Sequence, residues 1–206
     1  MMKKYLILLA GPPATGKSYL TKLICQALPQ TYTVSPDEIK QDLAESIGFD
    51  NAEAKQTLEL KAWKLYYQAL DLYMTIGKQF VLTEYPFSDK QKSRLKDLAE
   101  VHGYRIITIR LVADFEILWE RRIKRDLAPE RHLSFIMSHY HYGDQLLDRH
   151  QADELITKEG FWDIIEKRQY NYFQLGKLYE VDVTDYQQVD YSPIISDLLA
   201  LSREVN

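Results

Sequence analysis

A chain of 206 residues is long enough for one domain with a substantial core, and 46% apolar with 27% charged residues excludes both a disordered and a membrane-class composition. The formal net charge of −4 gives no overall attraction to a phosphate backbone, although a local basic groove is compatible with an acidic protein. The single cysteine, Cys25, excludes an internal disulfide and a cysteine metal knuckle; it reads as a small buried hydrophobe in a reducing, cytoplasmic setting.

The N-terminal MMKKYLILLAGPP has the outline of a signal peptide. Its apolar run of about half a dozen residues is too short for one, and it leads directly into a glycine loop, so Lys4 to Ala10 is expected to be a buried strand. No apolar stretch approaches the roughly 18 residues that span a bilayer. After the loop, Leu20, Leu23, Ile24, Ala27 and Leu28 recur at three- and four-residue steps, predicting a helix that stops at Pro29. Thr31 to Ser35 alternates as a short second strand, and Ser35-Pro36-Asp37-Glu38 opens another helix.

A long helix is predicted over about 52–76, closed by Gly77, followed by a third strand at Phe80-Val81-Leu82-Thr83. Ser88-Asp89-Lys90-Gln91 has capping-box spacing and starts a helix that ends at Gly103. Arg105 to Val112 is the fourth strand. Asp114 begins a helix carrying Arg121-Arg122-Ile123-Lys124-Arg125, limited by Pro129. Residues 131–176 read as aromatic and helical with breaks at Gly143 and Gly160; a last strand at Leu178 to Val183 and a helix from Ser192-Pro193 complete the chain. Alternating strands and helices predict an α/β fold: a three-layer α/β/α sandwich on a mainly parallel five-stranded sheet, one domain over 1–206 with a lid or substrate-covering region at about 121–176.

Gly11-Pro12-Pro13-Ala14-Thr15-Gly16-Lys17-Ser18 satisfies GxxxxGK[ST] between a predicted strand and a predicted helix. Glycines let the backbone curl so that N–H groups face phosphate oxygens, and the helix adds its positive end. Residues Gly11 to Ser18 are therefore expected to hold the phosphates of ATP, with Lys17 on the β and γ phosphates and the Ser18 hydroxyl on Mg2+. The sequence has neither an NKxD base-reading motif nor an LSGGQ-like stretch, which excludes GTPase and transporter ATPase readings.

Four segments in order, GPPATGKS, VSPDEIK, FVLTEYP and RLVADFEILWERRIKR, resemble the small P-loop kinases that include polynucleotide kinase, gluconate kinase, chloramphenicol phosphotransferase and zeta toxin. The resemblance covers about residues 3–126, and the terminal YEVDVTD and its helix resemble the family's last strand and helix. It implies that Asp37, just after the second strand, is general base on the acceptor hydroxyl, a role that in-line phosphoryl transfer also calls for. Asp37 equally suits the first turn of a helix. The resemblance places Glu84, where relatives carry Asp, beside the magnesium water shell, and puts Lys40 on the acceptor side. It makes Arg121 and Arg125, four apart on one helix, a lid that neutralises the transferred phosphoryl group; Arg122 is expected to face elsewhere, at the surface.

The activity so implied is an ATP- and Mg2+-dependent phosphotransferase acting on a hydroxyl of an unidentified small molecule. A polynucleotide 5'-hydroxyl kinase and a slow or non-catalytic ATP-binding switch module are the alternatives; the acidic net charge disfavours nucleic acid. The aromatics at Trp63, Tyr66 and Tyr67 and those between Phe135 and Phe173 are expected to serve the core rather than stack on a base or sugar. His139 and His141, two apart on an expected helix, read as surface or satisfied polar residues rather than metal ligands.

Overall fold

A computed structural model describes residues 3–203. Its centre is a five-stranded, all-parallel sheet in the order β2-β3-β1-β4-β5, formed by β1 (Lys4–Ala10), β2 (Thr31–Val34), β3 (Phe80–Glu84), β4 (Tyr104–Val112) and β5 (Lys177–Asp182). The continuous apolar run of β1 follows from its central place, since successive side chains point to opposite faces and both faces are covered. Tyr5, Ile7 and Leu9 enter one cluster with α1 (Lys17–Ala27) and α7 (Ser192–Ser202). Leu6, Leu8 and Ala10 enter the other, with α3 (Ala52–Ile76) and α4 (Asp89–His102). The result is the expected three-layer sandwich.

Local signals set the helix ends where the sequence expects them. Ser35 caps α2 (Pro36–Ile47) by accepting from Glu38 N, Asn51 caps α3 by accepting from Ala54 N, and the Ser88/Gln91 capping box opens α4. Gly77 and Gly103 close α3 and α4 in the left-handed conformation. The buried Tyr66 hydroxyl of α3 bonds Thr83 Oγ1 of β3 at 3.0 Å, and burial raises its pKa. Cys25 is half-buried on α1, more accessible than a core residue.

Residues 131–176 differ from expectation. Only α6 (Lys158–Arg168) is α-helical there; the remainder is turns and short 3-10 segments at Leu133–Phe135, Arg149–Gln151 and Tyr170–Tyr172. Long-range contacts hold this segment in place of helical hydrogen bonds. Phe49 and Tyr140 form an antiparallel bridge, His132 bonds Glu45, and Lys55 Nζ donates to Met137 O at 2.9 Å and pairs with Glu154. Leu133, Ile136, Met137, Tyr140 and Ala152 pack there against Ala44, Phe49 and Leu58. This segment is thus fastened to α2 and α3. His139 and His141 flank the bridge outside any helix, half-exposed, near Asp153 (4.0 Å) and Asp50 (2.8 Å), the second of these carboxylates far away in sequence.

Candidate functional site

The carboxyl ends of β1, β2 and β3 open into one crevice of about 830 Å3, where a sheet of this type binds its ligands. Its floor is the loop between β1 and α1. Gly11 has φ +117°, and a Cβ there would lie 2.0 Å from Leu111 O of β4, so the loop leaves the sheet by a path open only to glycine. Ala14 adopts φ +69°, a left-handed conformation that an L side chain disfavours. Ala14→Gly is expected to stabilise the fold by about 0.5 kcal/mol, the relief of left-handed strain less the extra entropy of glycine in the unfolded chain; thermal denaturation measures it.

Lys17 begins α1 and folds back over the loop, its Nζ donating to Pro12 O at 2.7 Å and Gly11 O at 3.0 Å. Burial lowers its pKa to about 8, with Glu84 and Asp37 opposing and Arg125 reinforcing the shift. An incoming triphosphate favours the ammonium form and raises that pKa again. Nucleotide binding near pH 9 is therefore expected to take up a proton, and affinity to fall as pH rises through about 8. Calorimetry at pH 9 in two buffers of different ionisation enthalpy measures the uptake.

Glu84 ends β3 beside Leu9 of β1. Its Oε1 accepts from Ser18 Oγ and its Oε2 from Thr21 Oγ1, each at 2.6 Å. The extra methylene relative to Asp lets the carboxylate reach across to α1. A hydroxyl and a carboxylate beside a phosphate loop form an oxygen-only set that suits magnesium, which keeps most of its waters and takes few protein ligands.

Asp37 lies in the first turn of α2, half-exposed, and lines the same crevice as Lys17. Lys40, one turn on, is nearly buried: Nζ lies 3.6 Å from Asp37, 3.7 Å from Glu59 and 3.3 Å from Tyr85 Oη, above the Trp63 and Tyr85 rings. Burial alone would lower its pKa, but Tyr85, Asp37 and Glu59 reverse the sign and hold the ammonium charged. Tyr66 is core and Trp63 and Tyr67 pack against the same cluster, as expected of these aromatics, while Tyr85, edge-on to Trp63, lines the crevice beside the lysine.

Arg121 and Arg125, on α5 (Phe115–Asp126), both line the crevice but take different partners. Arg121 donates to Val183 O and Thr184 O, each at 2.8 Å, and lies 3.5 Å from the ring centre of Tyr186, whose hydroxyl donates to Ala14 O at 3.1 Å. Arg125 turns to Asp126, with Nε 3.2 Å from Oδ1. Arg122 departs from expectation: it is largely buried, lines the crevice and also pairs with Asp126. The i,i+4 spacing of Arg122 and Asp126 was the readable signal for this. Glu59, Arg131 and Tyr186, which also line the crevice, are not singled out by any local motif.

A phosphate loop at the end of a central parallel strand, with a lysine, a hydroxyl and an arginine-bearing helix converging on it, defines a P-loop phosphate-binding α/β protein. Residues 6–140 match the AAA domain family, and the chain belongs to it; its fold is that of the small P-loop kinases. Among solved structures, a "putative kinase" from Chloroflexus aurantiacus J-10-fl is 24% identical, covering 96% of this chain and 97% of that one with a TM-score of 0.72. The Deinococcus radiodurans tunicamycin resistance protein is 16% identical over 98% of each chain, with a TM-score of 0.54. A sugar kinase from Janibacter sp. HTCC2649 is 12% identical over 98% and 99%, with a TM-score of 0.50. No curated protein matches the chain. No helix among the described residues is long and apolar enough to cross a membrane.

Proposed function

We propose that the protein is an ATP-dependent phosphotransferase that moves the γ phosphate of ATP to a hydroxyl of a small molecule. The observation that carries this reading is that Asp37, a half-exposed carboxylate with no part in the core, lines the same crevice as Lys17 and Arg125. A phosphate-binding module needs the loop alone; an adjoining carboxylate that can accept a proton is what an attacking hydroxyl requires.

In this mechanism the backbone from Gly11 to Ser18 and the N-terminus of α1 hold the phosphates, and Lys17 leaves the carbonyls of Gly11 and Pro12 for the β and γ oxygens. Ser18 and Glu84 would hold Mg2+, which would supply neutralisation of charge on the phosphates. Asp37 orients the acceptor hydroxyl in line with the γ phosphorus and receives its proton. Arg125 stabilises charge on the moving phosphoryl group. Arg121 and Tyr186, the second of which lies against Ala14 and Gly16, give the purine base a flat cationic and aromatic surface.

The part of the crevice where Lys40 joins Asp37, Glu59 and Tyr85 receives the acceptor. With Phe135 and Ile164 also in its lining, the crevice suits a small, hydrogen-bonding molecule better than an extended polyanion. Incubation with γ-labelled ATP, Mg2+ and separate metabolite and oligonucleotide pools tests the reading. Label is expected in a small hydroxyl-bearing metabolite; label on oligonucleotide 5' ends would instead favour a polynucleotide kinase, and label released only slowly as phosphate, or not at all, a switch module.

A further inference from the structure

Asp126 is the last residue of α5, and its side chain is only 4% exposed. Three guanidinium groups converge on it. Arg122 Nε bonds Oδ2; Arg125 Nε bonds Oδ1 at 3.2 Å; Arg131 Nε lies 3.4 Å from the same Oδ1 as an ion pair and makes no hydrogen bond. Aromatic rings back two of them, Phe135 at 4.0 Å from Arg131 and Phe161 at 5.5 Å from Arg122. All three arginines line the crevice that holds Lys17 and Asp37.

One buried carboxylate offsets one of three clustered positive charges, so the cluster by itself is short of two negative charges. Packing like charges together away from water is unfavourable. Burial, reinforced by Arg125, lowers the pKa of Arg122 and brings that of Arg131 to about 10. A structural salt bridge needs one arginine, and the surplus points to an anion from outside the chain. Each Nε is turned toward Asp126, which leaves the Nη donors for such a ligand.

Resting on the phosphotransferase reading, we propose that Asp126 is a positioning residue: it preassembles Arg122, Arg125 and Arg131 as one receptor for the terminal phosphoryl group, with Arg131 as a further direct ligand of that group. Because the guanidiniums are held before the nucleotide arrives, less side-chain entropy is lost on contact. The charge surplus is matched by the γ phosphate and not by the diphosphate that remains after transfer.

The test compares Kd for MgADP with Kd for the magnesium complex of the non-hydrolysable analogue AMP-PNP, alongside Tm, in the full chain and in Asp126→Asn, Arg131→Gln and the double variant. MgADP affinity is expected to stay within about twofold throughout, while preference for the γ-bearing analogue falls about tenfold in each single variant, the scale of a lost charge-assisted hydrogen bond. Removing Arg131 from Asp126→Asn relieves repulsion, so the double variant is expected to regain Tm without regaining the preference. A preference unchanged in the variants, or recovered together with Tm, overturns the proposal and leaves Asp126 a charge-balancing residue. If Asp126→Asn does not fold, Arg131→Gln and the double variant decide. A wild-type chain that binds neither nucleotide overturns the phosphotransferase reading, and this proposal with it.

Discussion

Asp37→Asn is expected to lower kcat for transfer to the acceptor by about 10²- to 10⁴-fold, the usual contribution of a positioned general base. Kd for MgATP should change by less than about twofold, because in the proposed mechanism phosphate binding rests on the loop backbone, Lys17 and Arg125. Asparagine keeps the shape of aspartate and a carbonyl that can still accept from the acceptor hydroxyl; what it loses is the ability to take the proton. It is also acceptable near a helix start, where replacing Asp costs only a few tenths of a kcal/mol to about 1 kcal/mol of dipole interaction. A drop in kcat with unchanged MgATP affinity and a Tm lowered by at most about 4 °C therefore reports the chemical step. Loss of its neighbour's charge also affects Lys40, 3.6 Å away, but Glu59 and Tyr85 still hold that ammonium. Equal turnover in the variant and the wild type would remove Asp37 from the mechanism.

The parts of the fold that were legible in the sequence are those governed by local rules. The helix over 52–76 shows its full extent because Asn51 and Gly77 close it with groups next to it in sequence. The run at Lys4 to Ala10 marks a buried strand, and in the sheet it lies centrally between β3 and β4. Residues 131–157 were illegible as turns because their structure depends on Glu45, Phe49 and Lys55, some 80 to 100 positions earlier. An aromatic, charge-rich composition looks helical until those partners are known.

The site divides the same way. Gly11 to Ser18, Asp37 and Glu84 follow strand ends, where topology brings loops together and a motif can be read in one dimension. Arg131 and Glu59 carry no such marker and reach the crevice only through the return of the chain. Arg121 and Arg125 were correctly placed on one helix, but spacing says nothing of the carbonyls of Val183 and Thr184, which take Arg121 away from its neighbour.

Gly11→Ala is expected to destabilise the fold by roughly 2 to 6 kcal/mol, combining overpacking of about 1 to 3 kcal/mol with backbone strain of about 1 to 3 kcal/mol. The added Cβ meets Leu111 O at 2.0 Å, and that oxygen is backbone in β4, fully buried and tied into the sheet beside β1 and β5. No rotamer change relieves the clash. Either β1 and β4 separate at their carboxyl ends or the loop peels back, and both displace the carbonyls of Gly11 and Pro12 that seat Lys17. Nucleotide affinity should therefore fall with stability. Gly77→Ala is the control: φ is +79° there too, but nothing lies within 4 Å of its Cβ, so it should cost only about 1 kcal/mol of strain and leave nucleotide binding intact. Urea denaturation of both variants separates the two contributions. If they prove equally destabilising, contact with Leu111 is not what reserves position 11 for glycine, and left-handed strain alone accounts for it.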